Sequence, residues 1–253
     1  MPTATLVRLA LLEARRGGLA WLALAGVALS VGLAAFLSQV AITESRSLQT
    51  AVVGALLRAT AVFLVAAHVI ASIRRELDDK RLEMMLALPL SRTRQYLGRL
   101  AGYAASAACL SAAFALPLLL WARAPAVAAW AISLACETAL VAAIALFFGL
   151  TLAHFVPAFA ATAGMYLLAR MMPTIQLIAA GPLAEPSPLQ DAARASVEAV
   201  ALLLPGLDAA TRTGWLVYGP PTAAAYASAL AGLLVYGALV VAAGLFDFHR
   251  RSL

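Results

Sequence analysis

Three ionisable side chains interrupt long apolar runs: Arg58 within residues 51–73, Glu137 within 125–150 and Arg170 within 156–178. If the surrounding solvent is lipid, a charge in such a run is costly and needs a partner, a wet cavity or a path to the surface. At 1.5 Å of rise per residue, Arg58 and Glu137 would differ in depth by only about 6–9 Å. Two uses follow. Arg58 can pair with Glu137 as a structural element or snorkel outward; alternatively, Arg58 and Arg170 face a cavity between two copies of the chain and meet an anionic headgroup in transit. His68, in the inner half of the Arg58 run, reads as a packed or hydrogen-bonded residue rather than a metal ligand, because His154 and His249 fall at run ends.

The one densely charged stretch is "IRRELDDKRLEMMLALPLSRTRQYLGRL", residues 73–100. Glu76, Asp78 and Asp79 are expected to open a helix over 76–88, where carboxylates complement the positive end of the helix dipole, and Glu76 stands four residues before Lys80, within pairing reach. The second half turns apolar with Met84, Met85, Leu86 and Leu88. Pro89 ends it, since the residue before a proline resists the α conformation. Ser91 is placed to cap the following helix, although Arg94 occupies the position where a full capping box has Glu or Gln. Such a helix can lie in the membrane interface. An anchor has no need of carboxylates that anionic lipid repels, however, and the Met-Leu face is the adaptable kind that a partner protein covers. Docking is the preferred reading. Magnesium chemistry of an intramembrane lipid-modifying enzyme is opposed by Lys80 and Arg81 between the carboxylates and by the lack of a second acidic motif. A phosphate-binding loop ends in Gly-Lys-Ser/Thr, whereas the sole lysine, Lys80, stands between Asp79 and Arg81; no nucleotide site is expected, and no metal site either.

Positioning these groups falls to elements that the composition announces. The 253 residues are 64% hydrophobic and 12% charged, with a mean hydropathy of +0.92, against about 25% charged in soluble domains. Too little polar sequence remains to make a water-facing exterior. Runs of about 20 apolar residues can span a membrane as helices, and six occur: 19–41, 51–73, 99–121, 125–150, 156–178 and 223–246. They are continuous and rich in Ala and Leu, unlike the alternating ten-residue segments of barrel strands. The expected fold is a single all-α integral membrane domain over 1–253.

Basic residues set the orientation, because positive loops stay cytoplasmic. With both ends inside, twelve (Arg8, Arg15, Arg16, Arg74, Arg75, Lys80, Arg81, Arg92, Arg94, Arg99, Arg250 and Arg251) lie inside, against Arg46, Arg123, Arg194 and Arg212 outside. The net charge of +6 is therefore topological and does not point to nucleic acid. Residues 1–16 read as an interfacial helix, since the apolar run after Arg16 exceeds the 7–15 residues of a signal core. The 179–222 segment lies outside. Ser187 and Pro188 start a helix there, with Leu189, Val197, Val200 and Leu204 on one face and Asp191, Arg194 and Glu198 on the other. A re-entrant or surface-lying helix, a turn at Pro205 and Gly206, and a short second helix from about Asp208 are expected. Cys109 and Cys136 fall inside spans and suggest packing, and Gly98 and Gly102, four apart, permit close helix approach. A secondary transporter, the principal alternative, would show inverted repeats or paired helix breaks; Pro117 and Pro157 sit near span ends.

Taken together, "RRELDDKRLEMMLALPLSRTRQYLGRL" resembles the segment of ABC-2 type transporter permeases in which a Glu- and Leu-rich helix is followed by Pro, Ser, Arg and Gly-Arg, matched here by Arg75, Glu76, Glu83, Leu86, Pro89, Ser91, Arg92 and Gly98. The resemblance extends to the basic N-terminus, the six spans, "LLLPGLDAATRTGWLVYG" and the "FHRRSL" ending, and so covers nearly the whole chain. It departs in the loop motif Pro205, Gly206, Leu207, Asp208, where many relatives have Asn after the proline, which leaves the subfamily and its cargo open. The resemblance implies a membrane subunit of an ABC exporter, without enzymatic activity of its own, that pairs with a second copy and is driven by a separate cytoplasmic ATPase carrying ATP and Mg. Arg75, Glu76, Asp79, Glu83, Met84, Met85, Leu86, Pro89, Ser91 and Arg92 would form the coupling surface for that ATPase. Arg58, Glu137 and Arg170 would line a substrate path, and Pro205, Gly206 and Asp208 an outer gate. One lysine among eighteen basic residues, with abundant Ala, points to a GC-rich bacterial source and hence an inner (plasma) membrane.

Overall fold

A computed structural model describes residues 12, 18–40, 45–79, 91–180 and 188–250. Among them there is no strand, and the helices are α1 (Leu19–Val40), α2 (Ser45–Asp78), α3 (Arg92–Leu118), α4 (Ala124–Thr151), α5 (Phe155–Ala179), α6 (Pro188–Leu202), α7 (Leu207–Ala210), α8 (Trp215–Tyr218) and α9 (Ala223–Arg250). Six of these, α1–α5 and α9, are long and apolar enough to cross a membrane, and they mark a multi-pass membrane protein. Of the interfacial helix expected over 1–16, only Leu12 falls among the described residues, and it is helical.

The expected and observed spans coincide closely at α1, α4, α5 and the start of α9, but α2 is longer at both ends. It begins at Ser45 and runs through Asp78, with Asp79 in the closing turn. Glu76 and Asp78 therefore fall in the last turn of α2 and not in the first turn of a new helix, and the expected 76–88 helix from residue 80 onward lies outside the described residues. Nothing between Ile73 and Leu77 breaks a helix: no Gly, no Pro and no competing cap residue. Arg75 lies in the last turn, where a cation complements the dipole, and Glu76, unfavourable there, is paired with Arg99 at 2.8 Å; Lys80, its expected partner, lies outside the described residues. Residues 80–90, with Glu83, Met84, Met85, Leu86 and Pro89, lie outside the described residues. The third helix also starts early, at Arg92, because Ser91 caps it by accepting from the Arg94 amide at 3.4 Å.

Helix α4 is the axis of the bundle, packed by α2, α3, α5, α8 and α9. Its Trp130, Leu134, Glu137 and Leu146 are fully buried. Helices α1 and α9 form the rim and turn large apolar side chains outward, Trp21, Leu29 and Phe36 from α1 and Leu234, Leu239 and Phe246 from α9. In lipid such exposure costs nothing, and helix association rests on close packing and buried polar contacts. Both are present. Tyr103 donates to Ser72 at 3.1 Å between α3 and α2, and Gln49 donates to the Ala34 carbonyl at 3.0 Å between α2 and α1.

The closest approach between rim and core is at Gly244 of α9, against Tyr96 of α3. A Cβ on Gly244 would stand 2.1 Å from the Tyr96 hydroxyl oxygen and 2.9 Å from its ring carbon Cζ. Tyr96 has nowhere to go, being buried against the Phe248 ring with centroids 6.0 Å apart. Gly244→Ala should therefore cost about 1–3 kcal/mol by overpacking, read as a lowered melting temperature in detergent, and adding Tyr96→Phe should recover part of the loss.

Candidate functional site

The three intramembrane charges are brought together. Arg58 of α2 and Glu137 of α4 each lie thirteen residues beyond the first residue of their helix, about 20 Å along it, and their side chains meet at 2.8 Å. Arg58 is 3% exposed and Glu137 0%, so this is a buried pair and Arg58 does not reach outward. Arg170 of α5 approaches the other carboxylate oxygen of Glu137 at 3.9 Å, and Tyr166, one turn earlier on the same face, donates to that oxygen at 3.0 Å. The Trp130 ring lies against the Arg58 guanidinium, 5.4 Å from Cζ to centroid, a cation–π contact that is worth more in a desolvated site.

Two cations share one carboxylate, and the excess charge is met by backbone. Arg58 donates through Nη1 to the Thr211 carbonyl at 2.7 Å. Arg170 donates to the same carbonyl at 3.0 Å and to the Thr211 hydroxyl at 2.5 Å. Thr211 caps the C-terminus of the single-turn helix α7, where carbonyls lack helical partners and carry partial negative charge. The remaining Arg58 nitrogens, Nε and Nη2, have no hydrogen-bond partner among the described residues.

Reaching Thr211 requires the segment after α5 to fold back along the bundle. Gln190 donates to the Ala179 carbonyl at 3.0 Å; further along, Arg194 and Glu198 face Pro173 and Gln176, and Leu204 to Gly206 face Ala169. Thus α6 runs antiparallel to α5 and carries the turn at Pro205 and Gly206 about 15 Å inward from the α5 end. Tyr236 of α9 holds that turn by donating to the Leu203 carbonyl at 3.0 Å. Pro205 is buried and Gly206 exposed. Helix α7 then begins at Leu207, one residue before the expected Asp208, and Asp208 faces Arg212 at 3.5 Å. On α6 the expected charged face is present, with Arg194 and Glu198 paired at 2.9 Å. Returning, the chain presses on α2: a Cβ on Gly54 would meet Leu216 at 2.6 Å and Thr213 at 2.9 Å.

At the opposite end of the bundle the basic residues form a second polar layer. Arg74 of α2 donates to the Gly149 carbonyl and, at 2.6 Å, to the Ala153 carbonyl, closing the end of α4. Glu76 binds Arg99 of α3. Arg92 donates to the His249 carbonyl at 3.2 Å, and Thr151 donates to Asp247 at 3.3 Å. Of the expected coupling residues, Arg75, Glu76, Asp79, Ser91 and Arg92 lie at this end, and Arg75 donates to Ala71 on its own helix at 3.2 Å. His68 is buried edge-on to the Tyr103 ring, and Cys109 and Cys136 are free thiols. Among the described residues, no group of three His, Cys, Asp or Glu side chains is placed to hold a metal.

Thr211, Tyr166 and Trp130 were not singled out in the sequence. Tyr166 lies four residues before Arg170 and Trp130 seven before Glu137, spacings that share a helix face. Thr211 contributes its hydroxyl to Arg170 and its backbone carbonyl to both arginines, and for the carbonyl residue type carries no signal. In comparisons with known proteins, the chain matches no family model and no curated protein.

Removing one partner of a buried ion pair leaves an uncompensated charge and costs about 3–5 kcal/mol. Glu137→Gln should therefore destabilise severely, while Arg58→Gln combined with Glu137→Gln should lose much less than the sum of the two single changes. Thermal denaturation of the four proteins in detergent gives the coupling energy, expected at about 1–3 kcal/mol. A value near zero would show that Thr211 and Arg170, rather than the pair, hold the site.

Proposed function

We propose that the chain is the membrane permease subunit of an ATP-driven exporter of the ABC type, working as a pair of copies and driven by a separate ATPase that carries ATP and Mg. The observation that carries this reading is α2, a single helix of 34 residues and about 50 Å. Near one end it is fixed to α4 through Arg74 and to α3 through Glu76. Partway along, its Arg58 holds the 203–218 hairpin by the Thr211 carbonyl. A helix tied at both levels transmits displacement instead of absorbing it. Force applied to the 80–90 segment would therefore reach the hairpin through one rigid element.

In this reading the basic end faces the cytoplasm with both termini, in accord with the bias of positive loops, and the membrane is the bacterial inner (plasma) membrane. The 203–218 hairpin is re-entrant from the outer side. Irregular backbone at membrane depth is tolerated only inside protein or beside water, and the clamp of Arg58 and Arg170 on Thr211 meets that condition. Pro205, Gly206 and Asp208 stand at its turn as an outer gate. Residues from Glu76 through Arg92 supply the ATPase contact, with Glu83, Met84, Met85 and Leu86 as its centre. Alternating exposure of a cavity between the two copies moves the cargo.

An affinity pull-down in mild detergent tests this, comparing the native chain with Glu83→Arg, Met85→Asp, followed by ATPase assay of what co-purifies. The native chain should retain an ATPase. The variant should retain at least about tenfold less, since like-charge contacts and lost apolar burial at an interface cost several kcal/mol. Equal retention by both, or no ATPase under several conditions, would overturn the reading in favour of a secondary transporter.

A further inference from the structure

An open cavity of about 670 Å³ lies between the 204–215 segment and α9, within the size range of ligand sites. Its α9 wall runs from Ala225 to Leu239, about 21 Å of helix. Half of a hydrocarbon core is about 15 Å, so the wall crosses one leaflet. Small residues, Ala225, Ala229 and Gly232, make it concave, and Leu233 and Leu239 line its inner part. No atom lies within 4 Å of where a Cβ on Gly232 would stand, so the space beside it is open.

One charged residue, Arg212, lines this apolar cavity. Its Nε donates to the Asp208 carbonyl at 3.1 Å, and its Nη2 stands 3.5 Å from the Asp208 carboxylate, at the limit of a hydrogen bond. Its Nη1 has no partner among the described residues. Arg212 precedes Trp215 by one turn, and the Trp215 ring packs edge-on against Tyr226 near the start of α9, centroids 5.4 Å apart. Tyr226 in turn donates to the Ala129 carbonyl, five residues from the start of α4. Paired Trp and Tyr at helix starts mark an interfacial level. Arg212 stands in the chain between this pair and the Thr211 clamp, and its side chain folds back on Asp208 at the wall of the cavity.

We propose that this groove binds an anionic phospholipid of the leaflet on the hairpin side, its phosphate on the Arg212 guanidinium and an acyl chain along α9 from Ala225 to Leu239. A guanidinium matches a phosphate in charge and in fork geometry, and a hydrocarbon chain matches a wall with no other charge. An anionic headgroup is favoured over phosphatidylcholine because the latter brings a second cation beside the only charged residue of the wall. The proposal rests on the chain crossing a membrane and stands independently of the exporter reading.

The test is native mass spectrometry of the full chain released from nanodiscs made of equal parts phosphatidylglycerol and phosphatidylcholine. The native chain should retain phosphatidylglycerol in about two- to fivefold preference, the range for a partly exposed charge contact. Arg212→Gln should retain lipid but lose the preference. Gly232→Phe places a ring in the groove from a position whose Cβ is uncrowded and should lose the retained lipid of both kinds while eluting as folded protein. Native-like lipid retention by Gly232→Phe, a preference that survives Arg212→Gln, or a native chain without preference would each overturn the site. If Gly232→Phe does not elute as folded protein, Arg212→Gln, a change on an exposed side chain, decides alone.

Discussion

A charge buried in lipid must be neutralised where it stands, and the Arg58–Glu137 pair is where this bundle meets that constraint. The pair sits on the two most buried helices, α2 and α4, and its surplus positive charge, added by Arg170, draws in a backbone carbonyl from a distant segment. Four elements are thereby tied at one level: α2, α4, α5 and the turn after α7. Direct burial of apolar surface could not do this, because lipid tails compete equally for Leu and Ala. The polar contacts define where the hairpin goes, and shape complementarity at Gly54 fills in around them.

Organisation around this layer is asymmetric along the helix axes. On the side of the 203–218 segment, the contacts of Arg58 and Arg170 with Thr211 are few, that of Arg58 fully buried and those of Arg170 partly so. At the basic end they are spread over Arg74, Glu76, Arg92, Arg99 and Thr151, several of them exposed. Exposed pairs contribute little each, so this end is held by redundancy, and loss of any one contact leaves the others.

Much of this was legible in the sequence where a physical rule acts locally. Apolar run length located the six spans. Rise per residue placed Arg58 beside Glu137. Ser91 announced the start of α3. What misled was the treatment of charge as a boundary: α2 runs on through Arg74, Arg75, Glu76 and Asp78, because helix formation depends on backbone preference and end capping, not on hydropathy. Charge left the path of α6 undecided in a similar way. Arg194 and Glu198 argue against a buried helix when counted singly, yet four residues apart they satisfy each other, and α6 lies along α5. The carbonyl part of the clamp on Thr211 had no sequence signal, since a carbonyl belongs to every residue.

The separation of these partners along the chain bears on how the protein can be made. Arg58 precedes Glu137 by 79 residues and Thr211 by 153. During synthesis α2 must therefore enter the bilayer before its counter-ion exists, and an arginine near a helix centre costs roughly 2.5–3.5 kcal/mol on insertion. The remaining residues of α2, with a mean hydropathy of 2.0 over its most apolar window, bear that penalty until α4 arrives. Release from the penalty comes in two steps, first with α4 and then with the hairpin. A nascent chain stopped before residue 211 would hold Arg58 on Glu137 but leave Arg58 and Arg170 without their Thr211 acceptors, a chemical mark that distinguishes an unfinished chain from a finished one.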